Sequence, residues 1–552
     1  MRQLFTDILT VLTPREKRSL FALTLFDVVV SLLDIAFLAF LLFFIKYYTS
    51  GEKGPGFYRL TGLDAQSPFL VIGVFFGLFC IKNFVGYTVA KKQSDCVYGV
   101  CSRISADNMA RYFASDYFGY TQVDSSVHIR RTSQEPIEFG HYVLRGVQQI
   151  VSQVMLILIT IAAMLLYNAS LFFLLLLVLL PPVIMVGYLM KRQLANIRKH
   201  LRTAGERTLQ YLQEALSGFI DVLIYDRTSF FSRRYSERQQ QLNIFLSGQQ
   251  AIQSMPARLM EAFAIFGLFV LIVISRVSGN TVQLITIGAF AAAAYKIIPG
   301  VVKILNFAGQ IKTYRFTLQH LLAEKTGNPV PAAVIPPVNE LRLENVSFHY
   351  PGLTLLFNDI SFSIGKGELV GLQGVSGKGK TTLVHLLLGF LQPVAGKIWV
   401  NNIPADAASL QQFRKHISYV QQQPFLIHDT VLQNIVLGEP GYDEQRFRKA
   451  LQLTGLDEWL RLQPGGYHFV VEEKGRNISG GQRQRIVLAR ALYHEFDLLV
   501  LDEPFKELDE DSESSLTDHL VELARQGKMI LLITHNSKTL TRCDKVLTIN
   551  NE

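Results

Sequence analysis

Six oily stretches constrain most strongly how this chain can fold. They lie at about residues 21–45, 69–89, 150–167, 171–189, 261–274 with its preceding turn, and 282–302. An α-helix needs roughly 20 apolar residues to cross a bilayer, and backbone in hydrocarbon must satisfy its own hydrogen bonds, so six membrane helices are predicted. At 552 residues and 49% hydrophobic, the chain is too long for one ordinary domain and too apolar for a purely soluble enzyme. The first run is too long for the core of a signal peptide and lacks a small-residue cleavage site, so it reads as a span.

A formal net charge of +9 raises the question of nucleic acid, but the position of the charges answers it. Arg2, Arg15, Lys17 and Arg18 precede the first run, and Lys191, Arg192, Arg198, Lys199, Arg202 and Arg207 follow the fourth. Only residues 168–170 separate the third run from the fourth. This is the distribution of a membrane protein whose basic loops stay in the cytosol, and it places both termini there. The connections 90–146 and 190–257 mix apolar and charged residues at helical spacing with few breakers, so the membrane helices are expected to continue into water. Cys80, Cys96, Cys101 and Cys543 lack metal-ligand spacing, which fits a reduced, cytosol-facing protein.

At 326–338 the sequence turns to TGNPVPAAVIPPV, a proline-rich linker. It divides a membrane domain, 1–325, from a soluble domain, 339–552. In the latter, ELVGLQGV reads as a buried strand and TTLVHLLLGFL as the helix after a Gly-rich turn. Gly374-x-x-x-x-Gly379-Lys380-Thr381 fits the phosphate-binding P-loop in its required strand-to-helix context. Its glycines, with Ser376, Gly377 and Thr382, let backbone N–H groups approach phosphates; Lys380 is placed for the β and γ phosphates and Thr381 for Mg2+. The bland alternative is a Gly-rich turn capping a helix. Downstream, DLLVLDEP supplies a strand ending in Asp502, placed for the magnesium shell, and Glu503, placed to activate water. An isolated Asp-Glu pair would be read as a solvated loop; here it follows a P-loop.

Between these motifs stands NISGGQRQRIVLARAL, in which residues 478–482 resemble the signature of the ATP-binding cassette (ABC) family. Ser479, Gly480, Gly481 and Gln482 open a basic amphipathic helix, where hydroxyl, free N–H groups and helix dipole favour an anion. The resemblance implies that this segment, with Asp509, closes over ATP held by the opposite subunit, so one cassette requires a second copy, a homodimer. It also implies adenine stacking on Tyr350, magnesium sensing by Gln422 and a switch role at the γ phosphate for His535. Singly, these three read as a core aromatic, a surface amide and a strand-end imidazole. The chain departs from the family where Lys506 and Glu507 replace small residues after the catalytic carboxylate, where Lys378 adds a charge to the P-loop, and where Glu472 replaces a glycine. None removes a catalytic group.

Six spans followed by one cassette resemble an ABC exporter half-transporter: a polytopic α-helical membrane domain plus an α/β P-loop nucleotide-binding domain with a helical subdomain. The resemblance implies ATP and Mg2+ as cofactors, a bacterial inner membrane with the cassette in the cytosol, and coupling helices near 115–124 and 218–227. Importers usually keep membrane domain and cassette on separate chains. Asp27 and Asp34 share one face of the first span, Lys82 lies inside the second, and Lys296 and Lys303 repeat the seven-residue spacing in the sixth. Charges at such depth are costly unless paired or facing water. They are either a substrate cavity or structural pairs, Asp34 with Lys82, while Lys303 could snorkel to the surface. MPARLMEAFAIFGLFVL and GAFAAAAYKIIPGVVKIL resemble the last two spans of bacterial flippases for lipid-linked oligosaccharides, which implies a basic cavity of Lys82, Arg258, Lys296 and Lys303. The competing expectations are a multidrug, lipid A or peptide exporter and an ATP-gated sensor or channel. No segment resembling a peptidase precedes the first span, and the spans exclude a nucleic-acid-handling ATPase.

Overall fold

The computed structural model describes residues 2–50, 68–114, 117, 121, 123–167, 169–277, 284–323, 337–352, 354–375 and 377–549. They form two compact units, Met1–Ser115 with Tyr120–Asn328, and Asp116–Gly119 with Pro329–Glu552.

The first unit is helical. Five described stretches are long and apolar enough to cross a membrane: Pro14–Phe37, Ile72–Ala114, Ser125–Leu166, Phe172–Ser217 and Thr228–Val273. The sixth expected run begins outside the described residues and continues as the helix Leu284–Thr313. The helices Pro68–Ala114, Ala169–Ser217 and Thr228–Val277 have 47, 49 and 50 residues. At about 1.5 Å per residue each spans roughly 70–75 Å, more than twice a hydrocarbon core of about 30 Å. The same helices that are apolar in the spans therefore carry the mixed stretches beyond them. Pro181, Pro182, Pro256 and Pro299 sit inside helices without ending them, as apolar surroundings and packed neighbours permit.

Among the described residues, two apolar cores hold this unit. One gathers Met164, Val178, Met260, Leu271, Phe290 and Ile297 within the spans; the other gathers Val97, Ile104, Phe139, Val143, Leu194 and Leu318. In the second core, a Cβ on Gly140 would lie 3.2 Å from Val97 Cγ1 and collide with the Cys101 sulfur, so glycine permits that close helix approach. Widened π turns occur at Arg130–Gln134 and Phe139–Leu144, on either side of Pro136, which supplies no N–H to the preceding turn. The short helix Phe219–Ile224, in the second stretch expected to couple, exposes Phe219, Ile220, Leu223 and Ile224. The first such stretch lies largely outside the described residues.

Among the described residues, the second unit is built on eleven strands: β1 (Glu340–Phe348), β2 (Phe357–Gly365), β3 (Leu369–Gly374), β4 (Ala395–Val400), β5 (Ile403–Ala405), β6 (Ile417–Val420), β7 (Asp429–Thr430), β8 (Val470–Val471), β9 (Leu498–Asp502), β10 (Met529–Ile533) and β11 (Lys545–Ile549). A parallel sheet runs β11-β3-β10-β9-β6, and an antiparallel sheet runs β2-β1-β4-β5. β9 and β10 are buried along their whole length, as strands covered on both faces must be. Short helices Val431–Val436, Glu444–Leu453 and Leu456–Arg461 form a helical portion between β6 and β9. The unit also takes in Tyr117, whose ring stands 4.8 Å from His385 and 5.0 Å from Phe390. Leu372 and Asp502 both pair with Ile533, so the carboxyl ends of β3, β9 and β10 meet, the edge at which open parallel sheets bind ligands.

Candidate functional site

At the end of β3 the chain turns through Gly377 and Gly379, with φ of 81° and 90°, a region where side chains are strained. At Gly379 a Cβ would also press on Leu356 Cδ2 at 2.9 Å. The helix Lys380–Leu387 starts immediately afterwards, anchored by buried Leu383, Val384 and Leu387. Ser376 lies outside the described residues. Lys380 is buried and donates to the Gly374 carbonyl at 2.7 Å and to His535 Nε2 at 2.9 Å.

Thr381 donates its hydroxyl to Asp502 Oδ2 at 3.0 Å. Burial pushes the Asp502 carboxyl above its ordinary 3.8, reinforced by neighbouring Glu503 and opposed by the Thr381 hydrogen bond and by Lys380. Glu503 adopts a left-handed φ of 49°. Its backbone N–H bonds to the Ile533 carbonyl at 3.1 Å. Gln422 donates to Glu503 Oε2 at 2.8 Å, and His535 Nε2 lies 3.3 Å from Oε1. Tyr350 contacts the Thr382 hydroxyl at 3.1 Å through its own and packs edge-on against Phe348. One locus thus gathers Tyr350, Gly374, Lys380, Thr381, Thr382, Gln422, Asp502, Glu503 and His535.

Ser479 and Gln482 stand elsewhere. Ser479 caps the helix Gly480–Tyr493 in a reciprocal capping box with Gln482. Among the described residues, no hydrogen bond or ion pair joins them to the P-loop. Asp509 caps the helix Glu510–Arg525, accepting from Ser512 N, and lies 4.0 Å from Arg485. Sequence reasoning missed Glu507's position: its carboxylate lies against Gly480 and 3.5 Å from Arg483.

In the helical unit, Asp34 pairs with Lys82 through Oδ1, while Lys296 Nζ lies 3.8 Å from Oδ2. Lys82 is 8% exposed, with its ammonium 4.7 Å from the centre of the Phe79 ring. One carboxylate thus faces two ammonium groups from the first, second and sixth runs. Among the described residues Asp27, Arg258 and Lys303 make no ion pair, and Arg258 and Lys303 are exposed.

A P-loop, a strand-end carboxylate pair and an imidazole at one edge of a parallel sheet, on a chain with bilayer-length helices, define a membrane protein bearing a nucleotide-binding cassette. Residues 142–295 match the ABC transporter transmembrane region and residues 357–506 the ABC transporter family; together they cover more than half of the chain. The protein belongs to the ABC transporters and carries both the transmembrane region and the ATP-binding region of that family. It is 30% identical over 369 residues to an ATP-dependent lipid A-core flippase of Saccharophagus degradans, and 28% identical over 382 residues to one of Burkholderia pseudomallei. Each match covers 66% of this chain, and it spans 62% and 63% of those relatives, a little under two thirds of their length. In fold, the chain is similar to a bacterial Atm1-family ABC exporter solved with ATP bound, with a TM-score of 0.78 at 18% identity over 97% of this chain and 93% of that one.

Proposed function

We propose that this chain is one half of a homodimeric exporter or flippase of the bacterial inner membrane. It uses ATP binding and hydrolysis to move an amphipathic, anionic, lipid-linked saccharide or related lipid outward. The observation that carries the cargo assignment is the intramembrane cluster of one carboxylate and two lysines. Its net positive charge is costly in hydrocarbon and favours an anionic group on the substrate. The names of the lipid A-core flippases support a lipid, and the cassette geometry supports an ATPase.

The residues divide the work as follows. Lys380 exchanges the Gly374 carbonyl and His535 for phosphate oxygens, while N–H groups of the P-loop neutralise the remaining charge. Glu503, held by Gln422, accepts a proton from the attacking water, and His535 positions the γ phosphate. Buried Asp502 and the Thr381 hydroxyl are hard oxygen donors suited to Mg2+; with Gln422 they would hold the ion, which supplies charge neutralisation at the phosphates. Ser479 to Gln482 and Asp509 present their N–H groups and side chains to ATP on the second copy.

The test is ATP hydrolysis in proteoliposomes containing lipid A or polyprenyl-pyrophosphate saccharides. Wild type is compared with Lys82→Ala/Lys296→Ala, with Glu503→Gln as the inactive control. Lipid-stimulated hydrolysis that the double variant loses supports the anionic cargo. Robust basal hydrolysis without any lipid response removes the cargo assignment and leaves the exporter. Transport unchanged in Glu503→Gln would favour a nucleotide-gated sensor or channel.

A further inference from the structure

The basic residues after the fourth apolar run do more than fix orientation. Arg198, Lys199, Arg202 and Glu206, on the helix Ala169–Ser217, line a cavity of about 570 Å³ with Lys312 and Arg315. Arg198, Arg202 and Glu206 recur every four residues and so share one helix face. Among the described residues, Arg202 is the one of these cations with a carboxylate partner, Glu206 Oε1 at 2.8 Å. Among the described residues, Arg198, Lys199, Lys312 and Arg315 make no ion pair, and Arg198 Nε is buried with no hydrogen-bond partner.

The wall behind the cavity is fixed. Buried Arg130 donates to the Arg202 carbonyl at 2.6 Å and approaches Glu138 at 3.3 Å. The Phe316 ring lies within cation–π range of both Arg130 and Arg202, at 5.4 and 5.9 Å. The rule that cytosolic loops are basic accounts for each residue singly but not for their convergence on one concavity. With five cations against the single carboxylate of Glu206, the cleft carries an excess of positive charge that concentrates anions, and guanidinium groups match phosphate geometry.

We infer that this cavity is a binding site for a small, multiply charged phosphate anion, separate from the cassette and from the Asp34 cluster. Free anions fit better than lipid headgroups. Arg198 lies nine residues past the end of the fourth apolar run, so about 13 Å along the helix, whereas each headgroup layer is only roughly 5–8 Å thick. The site does not depend on the cargo assignment.

Pyrophosphate is the probe. Equilibrium binding of labelled pyrophosphate is measured on full-length protein in phosphatidylcholine nanodiscs, all variants carrying Lys380→Ala so that any residual P-loop binding cancels. The parent is expected to show a salt-sensitive component. Arg198→Gln/Lys312→Gln/Arg315→Gln weakens it by roughly tenfold or more per side chain, while charge-preserving Arg198→Lys/Arg315→Lys stays within a few-fold. Unchanged ATP hydrolysis by the triple variant, with Lys380 restored, verifies folding. Equal pyrophosphate binding by parent and triple variant overturns the site. Pyrophosphate binding abolished by phosphatidylglycerol, together with retention of that lipid in native mass spectra that the triple variant loses, overturns the free anion in favour of a headgroup.

Discussion

Replacing Glu507 with alanine should lower the ATP concentration that half-saturates hydrolysis. In this chain the Glu507 carboxylate lies against Gly480, the first residue of the signature helix, and 3.5 Å from Arg483. An anion at a helix N-terminus is worth about 0.3–1 kcal/mol. The Arg483 pair is 33% and 41% exposed, so its contribution is discounted to the low end of the surface range of about 0–1 kcal/mol. Together they hold Glu507 with about 1 kcal/mol. In the proposed homodimer, a γ phosphate arriving from the second copy has to displace or share that position, so removing the carboxylate is expected to ease binding about fivefold per site. Steady-state hydrolysis against ATP concentration, on purified protein at low and high salt, reads this directly. Glu507→Gln retains the shape and loses the charge, so it should recover most of the effect. A half-saturating concentration that stays unchanged, or rises in both variants, would refute the reasoning and leave Glu507 as a brace for the signature loop.

Glu503→Gln should reduce turnover by at least about a hundredfold while retaining ATP binding, checked by single-turnover hydrolysis beside nucleotide binding. Asp502 gives a pH signature. A folded-state carboxyl raised above 3.8 binds more protons than in the unfolded chain, so its contribution to stability is unfavourable above the raised value and disappears as pH falls below 3.8. Asp502→Asn, whose amide oxygen still accepts from Thr381, should therefore hold or raise the melting temperature of nucleotide-free protein at neutral pH while weakening magnesium-dependent ATP binding. Asp34→Asn should lower the melting temperature, with about 2 kcal/mol lost because Asp34 is 31% exposed. Adding Lys82→Gln should recover part of that loss in a double-mutant cycle.

Local chemistry was legible in the sequence and long-range packing was not. The P-loop and the Asp502-Glu503 pair each need only a strand, a turn and a few residue types in order, so the spacing of the letters places them at strand ends. The seven-residue spacing of Lys296 and Lys303 also puts both on one helix face. Seven residues are about 10.5 Å along the axis, however, so a carboxylate that reaches Lys296 does not reach Lys303, and the structure leaves Lys303 exposed. Glu507 reads as bulk at an expected seam, and its approach to Gly480 depends on two loops packing together. The cavity cations read as loop charges because their meeting depends on where the helix Leu284–Thr313 ends beside the helix Ala169–Ser217.

Both sites partner their charges internally, and this fixes the sign of each substitution. Lys380 is engaged by the Gly374 carbonyl and His535, Gly480 by Glu507, and Lys82 by Asp34. Binding a phosphate at any of these places is an exchange of one partner for another, so the net affinity is a difference between two contacts. Removing a residue that touches the phosphate weakens binding, whereas removing the residue it displaces strengthens binding even where the fold loses stability. Asp34→Asn should therefore lower the concentration of anionic lipid that half-stimulates hydrolysis while lowering the melting temperature; Lys82→Ala should raise that concentration. If both substitutions move it in the same direction, the cluster is scaffolding, and the anionic cargo loses its physical basis.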